Sequence, residues 1–135
     1  MNSPVDMILE LQDAAIAALK SAFPGILVTH SLPLNSKPPY VLVAEVTSTD
    51  DSTRDGQGEQ LELEIHYVYR GTDRAELIAM AHTGRLALDR QPIAGDTVEF
   101  FPPRWVRGVV SRAAPDGVTY LAIQIFETFG QPADD

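Results

Sequence analysis

A chain of 135 residues and 14.7 kDa has room for one domain with a modest hydrophobic core, and 44% hydrophobic with 21% charged residues excludes disordered, fibrous and low-complexity classes. The lack of cysteine removes disulfides, thiolate metal centres and a cysteine nucleophile. A net charge of -9 with an isoelectric point near 4.6 argues against gripping duplex DNA by its phosphates, while it suits a surface past which DNA slides without being held.

Ser3-Pro4-Val5-Asp6 reads as a helix start, with Ser3 capping and Pro4 at the first helical position. Ile8, Leu11, Ala15, Ala18, Leu19 and Ala22 then recur at helical spacing until Phe23-Pro24-Gly25 ends the helix. Residues 26–29 form a short β-prone run, and the prolines at 33, 38 and 39 make 31–39 an extended surface loop. Residues 40–49, rich in Val and Thr, fit a strand buried over much of both faces. After the polar connection 50–58, residues 60–69 carry the cleanest strand pattern: Leu61, Leu63, Ile65, Tyr67 and Tyr69 alternate with Gln60, Glu62, Glu64 and His66. Those two strands are expected to pair as a long antiparallel hairpin.

Gly71-Thr72-Asp73 reads as a cap before a second helix over 74–90, with Ala75, Leu77, Ile78, Ala81, Ala87 and Leu88 on its apolar side. Residues 97–101, 104–112 and 118–129 are β-branched and aromatic, broken by Pro102-Pro103 and by the turn signal Ala114-Pro115-Asp116-Gly117. The order predicts an α+β fold: a mostly antiparallel sheet with two helices packed on one face, a single domain over 1–130, and a short acidic tail over 131–135. No uncharged apolar run approaches the ~20 residues that cross a bilayer, so a cytoplasmic protein with no membrane partner is expected.

Motifs for catalysis are missing. There is no Gly-x-Ser-x-Gly elbow, no phosphate-cradling Gly-x-x-x-x-Gly-Lys loop and no Gly-x-Gly-x-x-Gly turn, so the reading is non-enzymatic, with no catalytic residue and no cofactor. His30, His66 and His82 fall on separate elements without metal-ligand spacing; His66 beside Glu62 and Glu64 is better explained as the wet face of a strand. Asp51, Thr53, Asp55, Gln57, Glu59 and Glu62 match the ligand spacing of a calcium loop, with Gly56 at the turn. The flanks read as strands, Thr53 replaces an acid or amide and Gly58 replaces an apolar residue, so a plain hairpin tip explains the segment better. Residues 45–64 hold seven carboxylates and only Arg54 as a base, which makes this hairpin the most acidic part of the chain. Asp50, Asp51, Arg54 and Asp55 at its tip are candidate interface residues. So are Trp105 and Arg107, since aromatics and arginines dominate interface hot spots, although a core role for Trp105 weighs equally.

The order of features then resembles a known family. An amphipathic helix containing Leu11-Gln12-Asp13-Ala14 precedes a strand opened by Pro39-Tyr40-Val41, and the hairpin loop Thr47-Ser48-Thr49-Asp50 leads to the strand over 61–70. A helix ending Leu86-Ala87-Leu88 and the turn Pro115-Asp116-Gly117-Val118-Thr119 complete the set. Together they resemble the short tail-completion, or tail-terminator, proteins of long-tailed phages and gene transfer agents. That resemblance implies a hexameric ring on the head-proximal end of the tail tube, assembled in a bacterial cytoplasm. Such a ring stops tube growth, meets the tail tube protein and the head–tail connector, and lets DNA pass through its lumen. It carries no catalytic residues over to this chain. The alternatives are a head–tail connector or stopper and, further off, a small ligand- or calcium-binding domain.

Overall fold

The computed structural model describes residues 6–51, 58–112 and 117–133. In chain order it contains α1 (Met7–Ala22), β1 (Leu27–Thr29), β2 (Tyr40–Asp50), β3 (Glu59–Arg70), α2 (Ala75–Leu88), β4 (Val98–Phe100), β5 (Arg104–Arg112) and β6 (Thr119–Pro132). The sheet runs β1-β2-β3-β6-β4, with β5 also on β6, and every pairing is antiparallel except β1 on β2. The expected α+β plan with both helices on one face is therefore what the chain adopts.

Alternation in β3 sets the geometry. Leu61, Leu63, Ile65 and Tyr67 are buried towards the helices, as their period-two spacing requires, while the residues between them point to the opposite face. α1 covers this inner face with Met7, Leu11, Ala15 and Leu19, and α2 with Leu77, Ala81, Gly84 and Leu88. Burial of each Leu or Ile in this layer contributes about 1.5–3 kcal/mol. Ile8, Ala75 and Ile78, expected in the buried stripes, are exposed, whereas Met7 joins Leu11, Ala15 and Leu19 inside and Leu77, Ala81 and Leu88 are buried as expected.

Four further boundaries differ from expectation for identifiable reasons. α1 is capped by Asp6, whose carboxylate accepts from the Leu9 N–H at 3.0 Å; Ser3 and Pro4 lie outside the described residues. α2 begins after Arg74, with Asp73 accepting from the Ala75 N–H at 2.9 Å. In β2 only Val41 and Val43 are buried, with Val46 half-buried against the core, and the residues on the opposite face are open; its Val and Thr content reflects a pleated backbone and not burial on both faces. The expected boundary at 130 gives way too: Gln131 and Pro132 complete β6 by pairing with Glu99 and Val98, and the Ala133 N–H donates to Thr97 O at 2.9 Å.

β4 and β5 lie one after the other along the same edge of β6, separated by Pro102-Pro103, which have no N–H to give a ladder. Glu10 ties α1 to the start of β4. Its carboxylate accepts from the Thr97 N–H at 2.8 Å, from the Val98 N–H at 3.1 Å and from the Thr97 hydroxyl. No helix among the described residues is long and apolar enough to cross a membrane.

Candidate interaction surfaces

The ladder registers place the outward residues of the sheet in rows. Thr47, Glu62, Glu127 and Arg104 share one row; Glu45, Glu64, Ile125 and Arg107 form the next; Leu42, His66, Ile123 and Val109 the one after. The first two rows set Glu45 opposite Glu64 and Glu62 opposite Glu127, pairs of like charge that repel when unrelieved. Relief comes from the side. Arg104 bonds Glu127, Arg107 Nη2 approaches Glu62 Oε1 to 4.0 Å, and His66 Nε2 meets Glu64 Oε2 at 2.6 Å. These pairs are at the surface, so each adds little stability, but together they order the open face.

Among the interface residues expected from sequence, Asp50 and Asp51 stand exposed at the end of β2, where the Asp51 N–H closes the hairpin on Gly58 O at 2.9 Å. Arg54 and Asp55 lie outside the described residues, as do most of the calcium-loop positions. The hairpin is flanked by strands whose register is unbroken from the Glu45–Glu64 pair to the Asp50–Glu59 pair, and Glu59 is engaged by the Ser48 hydroxyl. Among the described residues no group of three or more His, Asp or Glu comes together to hold a metal ion.

Trp105 and Arg107, two positions apart on β5, would share a face of a regular strand but do not. A bulge between them in the β5–β6 register leaves Trp105 opposite Phe126 on the inner face and Arg107 opposite Ile125 on the outer one. Trp105 forms one wall of a cleft of about 230 Å³ between α2 and β5, lined also by Ile78, His82, Arg85, Val110 and Gln124. The Arg85 guanidinium lies 3.8 Å from the centre of the indole, a cation–π contact. The Trp105 backbone N–H donates to Asp89 Oδ1 at 2.9 Å, whereas its Nε1 is buried with no hydrogen-bond partner among the described residues. Trp105 is thus part core and part cleft wall. Arg85 was missed from sequence, because a helical arginine fifteen positions from the nearest aromatic and twenty from Trp105 gives no local sign that a strand will bring an indole beneath it.

Two sheet edges carry opposite charge. β1 covers β2 only at residues 40–42, and no strand among the described residues pairs with the remainder, whose sequence through residue 51 holds Glu45, Asp50 and Asp51 and no Lys or Arg. On the other side β5 pairs, among the described residues, with β6 alone; its start is covered by Asp89 and by the Arg90 N–H donating to Pro103 O, and beyond that its sequence carries Arg107 and no acid.

Comparisons with known proteins agree with this architecture. The family model described as tail completion protein gp17 matches residues 11–129. A solved chain from "Virion of native gene transfer agent (GTA) particle" is similar in fold, with a TM-score of 0.79 at 17% identity, over 94% of this chain and 99% of that one. No curated protein matches the sequence.

Proposed function

The chain belongs to the tail completion protein gp17 family, a structural protein of the tail, and from that premise we propose that it forms a ring, hexameric by resemblance, that caps the head-proximal end of a phage-like tail tube. In this reading the ring stops tube growth, receives the head–tail connector and conducts DNA through its lumen without binding it. The observation that carries the proposal is the open sheet: one domain with two long edges that no strand among the described residues pairs, of a kind that isolated proteins normally cover or blunt. A ring subunit satisfies such edges with its neighbours. The acidic surface around Glu45, Asp50 and Asp51 suits a channel wall, since carboxylates repel phosphates. Likeness in fold to a chain of a gene transfer agent virion supports extending the role to such particles.

The test is solution mass over a concentration series, followed by negative-stain imaging with and without tail tubes. Rings, or monomers that become rings on tube ends, support the proposal; a monomer indifferent to tubes at every concentration overturns it. Binding to a portal adaptor in place of tube ends favours the connector reading. Replacing Asp50, Asp51 and Asp55 with Ser is expected to impair tail completion while the monomer stays folded, and unaffected completion would remove the hairpin tip from the interface.

A further inference from the structure

We propose that copies of this chain join head to tail through their sheets, the acidic open edge of β2 in one copy pairing with the basic open edge of β5 in the next. The inference rests on the ring reading only for closure; the edges themselves argue for it independently.

Strand direction is the first argument. β2 is antiparallel to β3, β3 to β6, and β6 to β5, so β2 and β5 point in opposite directions within one copy. A second copy set beside the first in the same orientation therefore offers its β2 antiparallel to β5, the pairing with straight inter-strand hydrogen bonds. An interface between two different edges is heterologous, and rotation between copies closes it into a ring.

Register is the second. Each edge strand has one irregularity, between Val43 and Glu45 in β2 and between Trp105 and Arg107 in β5; beyond these, runs of equal length, 45–50 and 107–112, keep a regular ladder with their inner neighbours. β1 ends before the first run begins, and the Asp89 contact ends before the second. Keeping the helix-free face continuous across the junction requires Glu45, Thr47 and Thr49 to lie on the same side as Arg107, Val109 and Ser111. A stagger that pairs Thr49 with Arg107, Thr47 with Val109 and Glu45 with Ser111 uses five of the six residues in each run and brings Asp50 and Asp51 towards Arg104.

Charge is the third. The β2 edge has acids and no base, while β5 has bases and no acid, so the cognate junction is attractive and pairing of either edge with itself is repulsive. Val109, 55% exposed in the middle of the β5 run, would be covered by the incoming strand.

The native chain has no cysteine, so engineered pairs report contact directly. Arg107→Cys is combined in one chain with Glu45→Cys, Thr47→Cys or Thr49→Cys and oxidised mildly, with and without tail tubes. Residues opposite each other on antiparallel strands place their Cβ atoms within about 5 Å, close enough for a disulfide. A reducible ladder of multimers is expected for at least one pair, strongest for Thr49 with Arg107, while single-cysteine variants give no species above the dimer. No ladder from any pair in either condition, or linkage only to tube protein, overturns the proposal. As a second readout, a variant carrying Glu45→Lys and Thr49→Lys and another carrying Arg107→Glu and Ser111→Glu are each expected to lose at least tenfold in assembly, and an equimolar mixture to recover it. Lack of recovery on mixing overturns edge pairing. Open chains carrying the crosslink would uphold the edges and reject the ring, whereas rings without it would do the reverse.

Discussion

The Tyr67 hydroxyl donates to Gln124 Oε1 at 2.8 Å in the middle of the core, and Gln124 passes the chain on by donating from Nε2 to Ala81 O at 2.9 Å. This relay links β3, β6 and α2 through polar groups that burial would otherwise penalise. Burial also pushes the Tyr67 hydroxyl well above its usual range, so it stays protonated and a donor at any ordinary pH.

Tyr67→Phe removes the donor and leaves the Gln124 oxygen buried without it, at an expected cost of about 1–3 kcal/mol in urea unfolding. Gly84→Ala acts on the same spot from the helix, because a Cβ there would lie 1.9 Å from the Tyr67 oxygen and 2.5 Å from Cζ. It is expected to cost about 1–3 kcal/mol by overpacking. In the double variant the two costs should add to less than their sum, since losing the hydroxyl removes the nearest clash but not the ring contact.

Glu10 makes stability depend on pH. Burial raises its pKa, but the hydrogen bonds from Thr97, Val98 and Asp96 outweigh that and hold it below the ordinary 4.5. A depressed carboxylate pKa stabilises the fold above the unfolded value and ceases to do so as pH falls through the folded one. Thermal melts of the native chain and Glu10→Gln should therefore differ at neutral pH and converge below about pH 4.5. A difference that persists undiminished into acid would assign the effect to packing.

Trp105 is the only tryptophan, so its fluorescence reports on the α2–β5 cleft alone. Arg85→Ala removes the guanidinium that covers the indole and is expected to shift emission to the red and increase quenching by iodide, with the urea midpoint changed little. Unchanged quenching would mean that the ring is shielded by its other neighbours.

Asp6→Ala deletes the carboxylate that satisfies the Leu9 N–H and should cost about 1 kcal/mol, whereas Asp6→Asn or Asp6→Ser should recover most of it. Hydrogen exchange confined to the first turn of α1 checks that the loss is local.

Sequence by itself determined the element order, the buried side of β3, the antiparallel hairpin and the absence of recognisable catalytic motifs, because period-two and helical spacing, turn residues and motif chemistry are local properties of the chain. Its family resemblance was legible in the same local features. Tertiary structure decided the rest. A single bulge sends Trp105 and Arg107 to opposite faces; the Pro102-Pro103 break puts β4 and β5 in line on one edge; and the rows that set Glu45 level with Arg107 arise from pairings between strands far apart in sequence. Arg85 reaches Trp105 only because α2 packs over β5. Which edges remain open, and that their charges are opposite, follows from strand order, and strand order is settled by long-range packing that no local pattern encodes.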